Sequence, residues 1–501
     1  MAQICVIGGG IAGMAAAARL AAKRHEVTVL EATDTLGGQT GHVSPASARS
    51  TPATTASSGP ALTDTGPTLL TLPAVYRDLF LKTGRPIEDE LELTELEPGY
   101  SYHFADASEL TLPGGSVGRT VTAIAEQMGA ESAAGWESLT RYGASMWKDL
   151  RQLWVQPSHS HRDRSRLRAP RVRGMGAAAH RNLYLLAKQL FTDPRMVQIL
   201  SRYAGRNGWD PRQAPTSLAV HPFIEQTFGL WHVTGGMTTF AEAVARRCES
   251  LGVTFLTQAR ASRILTTSGT VSGVALADGP VQPAQIVVGA LPAQTLYAEL
   301  LRDLPGARRL RRIERLPRAH ARFVLHLADA GPTSAAFAKS TGGQHHVWFP
   351  RSSVGEYDEI ATGQPANQPT IYGHSQLQDA GRHHWQFVVN APNPLASKRP
   401  YRWTEERSHA YAQHLLRLLA ARGLDLTESA QDLRTTSPAD FAALGQSFGY
   451  TPRGRKGPAR QPSNETGVAN VYAVGNDAHP GYGLAQAGLS AEIVADLIGK
   501  A

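Results

Sequence analysis

Ile4-Cys5-Val6-Ile7-Gly8-Gly9-Gly10-Ile11-Ala12-Gly13 is a short apolar run that leads into Gly-x-Gly-x-x-Gly. A helical run follows from Met14 to Lys23, and His25-Glu26-Val27-Thr28-Val29-Leu30 reads as a second strand closed by Glu31. Strand, glycine turn, helix, strand and acid in this order make a βαβ dinucleotide-binding unit. Gly8 permits the tight turn, Gly10 lets a pyrophosphate approach the backbone, and Gly13 lets the helix pack closely on the sheet. The first turn of the helix, at Ile11 and Ala12, offers free N–H groups and a partial positive charge to phosphates. Glu31 is placed to accept hydrogen bonds from ribose hydroxyls, and its charge would repel a 2′-phosphate. The motif alone does not separate FAD from NAD.

Outward from this stretch, the chain is too long for one core. Its 501 residues predict two domains. The two cysteines, Cys5 and Cys248, form no disulfide framework, zinc spacing or CxxC pair, which fits a reducing cytoplasm. No signal peptide is expected, because the glycine motif interrupts the first apolar run. No stretch of about 20 apolar residues is present to span a bilayer. The net charge of +8 and pI near 9.5 suit an acidic partner or an anionic membrane surface. His159 to Arg173 contains six arginines and one aspartate. It reads as a solvated loop or as a patch that meets lipid phosphates. No aromatics are interleaved for base stacking, so nucleic acid is not expected. The histidines show no metal spacing, and no metal is expected.

A second glycine turn, Leu36-Gly37-Gly38-Gln39-Thr40-Gly41, lies where a bound dinucleotide would continue. Ser44 to Ala61 reads as a surface loop. Leu183 to Leu200 reads as a helix. Another helix is expected after Gly235-Gly236, with Thr239 and Glu242 at capping-box spacing. Ile264-Leu265, Val271 to Leu276 and Ile286 to Val288 read as a small meander. Phe323 to Leu327 and Trp385 to Val389 read as strands, and Glu405 to Ala421 as an amphipathic helix. At the end of the chain, Val471-Tyr472-Ala473-Val474-Gly475-Asn476-Asp477 leaves a strand into a polar turn. His479-Pro480-Gly481-Tyr482-Gly483 follows, and a small-residue helix starts near Leu484. This is a second anion-friendly helix N-terminus.

Several of these stretches together resemble the phytoene desaturase family of FAD-dependent carotenoid desaturases and isomerases. They are Gly8 to Gly13 with Glu31, Gly37-Gly38, Asp64-Thr65-Gly66-Pro67-Thr68, Glu225 to Gly236, and Val474 to Gly481. The branch it resembles most is the hydroxycarotenoid 3,4-desaturases, on Asp64 to Leu72, Trp348-Phe349, Asn390-Ala391-Pro392 and Thr436 to Leu444. The resemblance implies an α/β fold. In it, a Rossmann-type FAD-binding domain carries an inserted mixed α+β substrate domain, as in flavin amine oxidases. Residues 1–74, 234–299 and 447–501 are expected in the first domain, and 75–233 and 300–446 in the second, membrane-facing one. The implied cofactor is FAD, held by the two glycine turns, Glu31, Gln39, Asp64, Gly66, Pro67, Thr68, Ala261, Gly475, Asn476, Asp477, Gly483 and Leu484. Three departures stand out. Gln39 replaces the usual arginine, Asn476 replaces the usual acid with Asp477 one step on, and Leu484-Ala485 replaces Val-Pro.

The implied chemistry is desaturation of an acyclic polyene, with or without a hydroxyl at one end, by hydride transfer to flavin. A quinone or oxygen is the final electron acceptor. The proton acceptor candidates are Glu225, His232 and His479. The expected location is the cytoplasm, bound peripherally to a membrane. A long polyene needs an apolar tunnel, and the second domain carries Trp147, Trp154, Trp209, Trp231, Trp348, Trp385 and Trp403. Two other readings stay open: a flavin amine oxidase acting on a soluble substrate, and a non-catalytic FAD- or lipid-binding protein.

Overall fold

The first strand, Gln3–Ile7, lies at the centre of a five-stranded parallel sheet in the computed structural model of the chain. The structure describes residues 1–41, 66–156, 181–304, 309–329, 334, 336–337, 343–352, 354–377, 383–396, 400–427, 433–451 and 461–501. The sheet order is Val471–Ala473, Ile286–Gly289, Gln3–Ile7, Glu26–Leu30, Thr254–Leu256. Ile4, Cys5, Val6 and Ile7 are all buried, because helices or other elements cover both faces of a parallel sheet. Helix Ile11–Ala22 packs on helices Gly236–Ser250 and Leu484–Ile498. Ala15, Ala16, Ala17 and Ala18 are fully buried at these contacts, where their small side chains let the helices approach closely. The carboxyl ends of three adjacent strands run into Gly8, Ala290 and Val474-Gly475. They open a crevice on one edge of the sheet, where ligands bind in open α/β folds.

The second large sheet is mixed and seven-stranded. Its order is Arg434–Thr436, Ala321–Asp329, His383–Ala391, Ile371–Leu377, His345–Trp348, Tyr100–His103, Glu109–Leu112. Successive side chains of a strand point to opposite faces. On His383–Ala391, Trp385, Phe387, Val389 and Ala391 therefore join Ala412, Leu415, Leu416 and Leu419 of helix Glu405–Ala420 in one buried cluster. Gln386, Val388 and Asn390 turn to the opposite face, toward the crevice. The expected strands at 323–327 and 385–389 and the helix from Glu405 are all present.

Some expectations change. Ile286–Gly289 does not join the meander. It pairs in parallel with Gln3–Ile7, where its apolar residues are covered on both faces. The meander is completed instead by Gln282–Pro283 beside the hairpin Ala261–Thr267 and Thr270–Leu276. The single helix read across 183–200 is two helices, Leu183–Leu190 and Pro194–Gly205. Pro194 cannot continue a helix, and the Asp193 carboxylate caps the new one by accepting from the Arg195 N–H. The helix after the double glycine starts at Gly236, three residues before the expected cap. The Thr239 hydroxyl donates to the Gly235 carbonyl. Helix Ala74–Thr83, assigned from sequence to the second domain, packs Tyr76, Leu79 and Phe80 into the core around helix Ile11–Ala22. Tyr76 meets Phe240 edge-on at 4.8 Å. The arginine run at 159–173 and the loop at 44–61 lie outside the described residues.

Candidate active site

The crevice opens into one cavity of about 1110 Å³, which runs from the glycine turn after the first strand to the inner face of the seven-stranded sheet. Its two halves are built differently.

The sheet-edge half is made mostly of backbone. Gly8 adopts φ +108°, and a Cβ on it would sit 2.6 Å from the Ala290 carbonyl oxygen. A Cβ on Gly13 would lie 2.0 Å from the Gly8 carbonyl oxygen, so only glycine allows helix Ile11–Ala22 to close on the turn. At Gly10 the nearest atom to such a Cβ is 3.8 Å away, which leaves the backbone open to the cavity. Gly10 is also the N-cap of the helix, with no side chain satisfying its first N–H groups. Glu31 is held in place: Oε2 accepts from the Gly9 N–H at 2.8 Å, and Oε1 accepts from the Thr33 N–H and hydroxyl at 2.9 and 2.8 Å. Gly8, Gly10, Ile11, Ala12 and Glu31 all line the cavity, whereas Gly13 stands behind the turn.

The remaining motif residues meet the same space. Gly37, Gly38 and Gln39 line it, and the Gln39 side-chain amide donates to the Ser447 carbonyl at 3.2 Å. Gly66, Pro67, Thr68 and Ala261 line it too, while Asp64 lies outside the described residues. Gly475, Asn476, Asp477, Gly483 and Leu484 close the far wall. The Asn476 amide oxygen accepts from the Gly483 N–H at 3.3 Å, at the start of helix Leu484–Ile498. The Asp477 carboxylate is turned to the protein instead, accepting from the Ala293 N–H and the Ser447 hydroxyl, each at 2.9 Å. Burial pushes its carboxyl above the usual range. Two uncapped helix N-termini, an open glycine backbone and a fixed carboxylate on one cavity fit a dinucleotide with its diphosphate and ribose.

The second half is made of side chains. Tyr203 donates to Glu225 Oε2 at 2.6 Å, and Arg202 Nη2 donates to the same oxygen at 2.9 Å. Arg206 donates to the Tyr100 hydroxyl at 2.6 Å and stands 3.7 Å from Glu225 Oε1. The Arg202 guanidinium lies over the rings of Tyr203 and Tyr100, 4.1 and 4.2 Å from their centroids. Burial works against the Arg202 charge, but Tyr102, Tyr203 and Glu225 around it hold its pKa well above the ordinary value. The inner sheet face adds Arg322, His345, Tyr372, His374, Gln386 and Asn390 to the wall. His345 and His374 stack at 4.4 Å, and burial drives the His374 pKa down to about 3. His221 lines the wall opposite, with its ring parallel to Tyr203 at 6.0 Å. Burial lowers its pKa to about 4.

Of the three proton-acceptor candidates, the structure brings only Glu225 to the cavity, and two cationic or hydroxyl donors already engage it. His479 is not in the wall. Its Nε2 lies 2.9 and 3.0 Å from the Leu153 and Gln156 carbonyls, a tie between the C-terminal turn and the end of helix Ala130–Val155. His232 is not in the wall either. It sits on the short strand Leu230–Val233, with its ring 6.2 Å from that of His374. None of the seven tryptophans expected around a tunnel lines the cavity. Trp348 and Trp385 fill the core behind the sheet, and Trp147 meets Trp154 edge-on at 5.8 Å. Large aromatics bury most area in a core, and these follow that rule. The sequence reading missed Arg202, Tyr203, Arg206, His221, His374 and Asn390. The alternation His384-x-Gln386-x-Val388-x-Asn390 against Trp385-x-Phe387-x-Val389 was the available signal for the sheet face.

The sequence profile of the flavin containing amine oxidoreductases matches residues 11–499. The chain belongs to this family. Its cofactor is FAD, and it is an FAD-dependent oxidoreductase. The chain is 29% identical to a hydroxyneurosporene desaturase of Cereibacter sphaeroides, over 99% of this chain and 97% of that protein. It is 28% identical to a zeta-carotene-forming phytoene desaturase of Myxococcus xanthus, over 99% and 93%. Among solved structures, a putrescine oxidase superposes with a TM-score of 0.63 at 16% identity, over 99% of this chain and 98% of that one. The cyclohexylamine oxidase of Brevibacterium oxydans gives 0.61 at 15%, with the same coverage. These two share the fold.

Proposed function

We propose that this family member is an FAD-dependent desaturase of an acyclic carotenoid, hydroxylated at one end. Its end-to-end likeness to enzymes named as carotenoid desaturases carries the reading. The cavity supports it against an amine substrate. On the sheet side of the described wall the only carboxylate is Glu225, which Arg202 and Tyr203 already engage, while Arg206 and Arg322 add positive charge. An ammonium group finds no free anion there. Tyr372, Gln386 and Asn390 give that wall hydroxyl and amide groups instead.

When bound, FAD supplies the two-electron acceptor for a hydride taken from carbon. In this reading the backbone from Gly8 to Ala12 holds the diphosphate and Glu31 the ribose. Gly37, Gly38, Gln39, Gly66, Pro67, Thr68 and Ala261 enclose the nucleotide side. Gly475, Asn476, Asp477, Gly483 and Leu484 border the flavin side, where the helix N-terminus favours negative charge. Asn476 serves there with an amide, and Asp477 acts through the wall it braces. The protein's own contribution to rate is position and exclusion of water.

The proposed setting is the cytoplasmic face of a membrane, bound peripherally, with a quinone or oxygen taking the electrons. The net charge of +8 supports attraction to anionic lipid, and no helix among the described residues is long and apolar enough to cross a membrane. The test is a panel of acyclic carotenoids, with and without a terminal hydroxyl, in anionic liposomes with FAD and a quinone or air. A red-shifted spectrum and a product lighter by two hydrogens are expected. Peroxide release from an amine, with every carotenoid unchanged, overturns the reading. Liposome binding is expected to fall with salt.

A further inference from the structure

Removing two hydrogens from neighbouring carbons leaves a proton to place, and the wall of the chamber decides where it goes. Glu225 is engaged by Arg202, Tyr203 and, at 3.7 Å, Arg206. Protonating it would break that set. Four histidines contribute to the wall: His221, His345, His346 and His374. His346 is buried, and its Nε2 lies 3.0 Å from the Gly343 carbonyl. His345 is buried against His374, and the Nε2 atoms of both are sealed from the cavity without a partner. His221 differs. It is only half-buried, faces the cavity, and has no hydrogen bond to either ring nitrogen among the described residues.

We propose that His221 is the proton acceptor of the desaturation. This rests on the desaturase reading. The substrate loses a hydride from one carbon to oxidised flavin. The C–H bond on the adjacent carbon then gives its electron pair to the new C=C bond and its proton to a His221 ring nitrogen. The atoms balance as one hydride, one proton and one double bond. Burial keeps the ring unprotonated and ready to accept at neutral pH. A weak base suffices, because a carbon next to an electron-deficient allylic centre is a strong acid.

The surroundings fix the ring and temper its charge. Tyr203, from helix Pro194–Gly205, stacks on it at 11° between planes, and Trp154 approaches at 6.5 Å from helix Ala130–Val155. Glu225 lies one turn along the same helix, Val220–Phe228, and favours the imidazolium. Arg202 and Arg206 oppose it. The Tyr203–Glu225–Arg202 cluster is thus the positioning device for His221, with Tyr203 tied to Glu225 at 2.6 Å.

The experiment compares the FAD-loaded wild-type protein with His221→Ala and His221→Gln in anaerobic single turnovers, using the same carotenoid liposomes. FAD content and melting temperature are measured for each variant. Both variants are expected to hold FAD normally and to form the desaturated carotenoid at least about 100-fold more slowly. Added imidazole should restore part of the rate in His221→Ala, in proportion to its neutral form. Should His221→Ala fail to fold, His221→Gln carries the comparison. A separate readout needs no turnover: diethylpyrocarbonate should label His221 in the free protein and fail to do so once carotenoid is bound. Variants within about threefold of wild type, or labelling that carotenoid leaves unchanged, overturn the assignment of His221 and leave the desaturase reading standing. A wild-type protein that converts no carotenoid overturns both.

Discussion

The two halves of the cavity use opposite means. The sheet-edge half positions a ligand with backbone: Gly8, Gly10, Gly37, Gly38 and Gly483 around two helix N-termini, with the Glu31 carboxylate held beside them. The sheet-face half positions one with side chains gathered from Tyr100, Arg202 to Glu225, Arg322, and residues 345 to 390. Backbone N–H groups cannot titrate and are fixed by secondary structure. Side-chain clusters titrate, and each depends on its partners. The first half therefore suits an invariant cofactor, and the second suits substrate choice and proton chemistry.

The largest expected effect exposes this difference through pH. Burial lowers His221, His320 and His384 to about 4 and His346 and His374 to about 3, all on or around the substrate half. Each pKa is depressed from its unfolded value near 6.5. The stability they contribute is therefore present above pH 6.5 and lost as pH falls toward 4. Together the five rings remove on the order of 5 kcal/mol or more by pH 5, comparable with a domain's whole stability. Hydrogen exchange at pH 7 and pH 5 should show the seven-stranded sheet opening while the parallel sheet stays protected. Uniform loss in both sheets breaks the comparison.

A smaller effect is expected from Arg202→Met, which strips the buried Glu225 of its closest cation. Breaking a buried pair from one side costs about 3–5 kcal/mol. The double variant Arg202→Met, Glu225→Gln should recover part of it in urea melts, and no recovery would mean the two residues act independently. Gly13→Ala comes next. Its Cβ meets the Gly8 backbone oxygen, which cannot swing aside, at a cost of about 3 kcal/mol. Gly10→Ala, with open space before it, should leave the melting temperature of the FAD-free protein unchanged and weaken FAD binding. Equal melting temperatures for the two variants would contradict the geometry. The smallest effect is Glu31→Ala, expected to weaken FAD by about 1.5–3 kcal/mol in a fluorescence titration, as for loss of a charged hydrogen bond. Unchanged affinity would show that the ribose lies elsewhere.

Much of the sheet-edge half was legible because its chemistry is local. Gly8 to Gly13 and Glu31 lie within one βαβ unit, and each glycine's role follows from a turn or a contact a few residues away. Asp477 shows the limit of this legibility: the motif placed an acid at the turn, but only the fold turned that acid onto Ala293 and Ser447. His479 shows the same limit. A histidine beside a glycine turn read as chemistry, and packing used it to tie down helix Ala130–Val155.

The sequence by itself determined the βαβ start, the two glycine turns and the family resemblance. All depend on residues close together in the chain, or on an alternation of period two or 3.6. Only the tertiary structure decided that Ile286–Gly289 leaves the meander, that the tryptophans fill cores rather than a tunnel, and that His221 faces the chamber while Glu225 is engaged. These outcomes turn on contacts between residues far apart in the sequence, such as Arg206 with Tyr100 or Arg322 with Tyr482. Burial and pairing at such contacts are set by how helices and sheets stack, and no local pattern encodes that stacking.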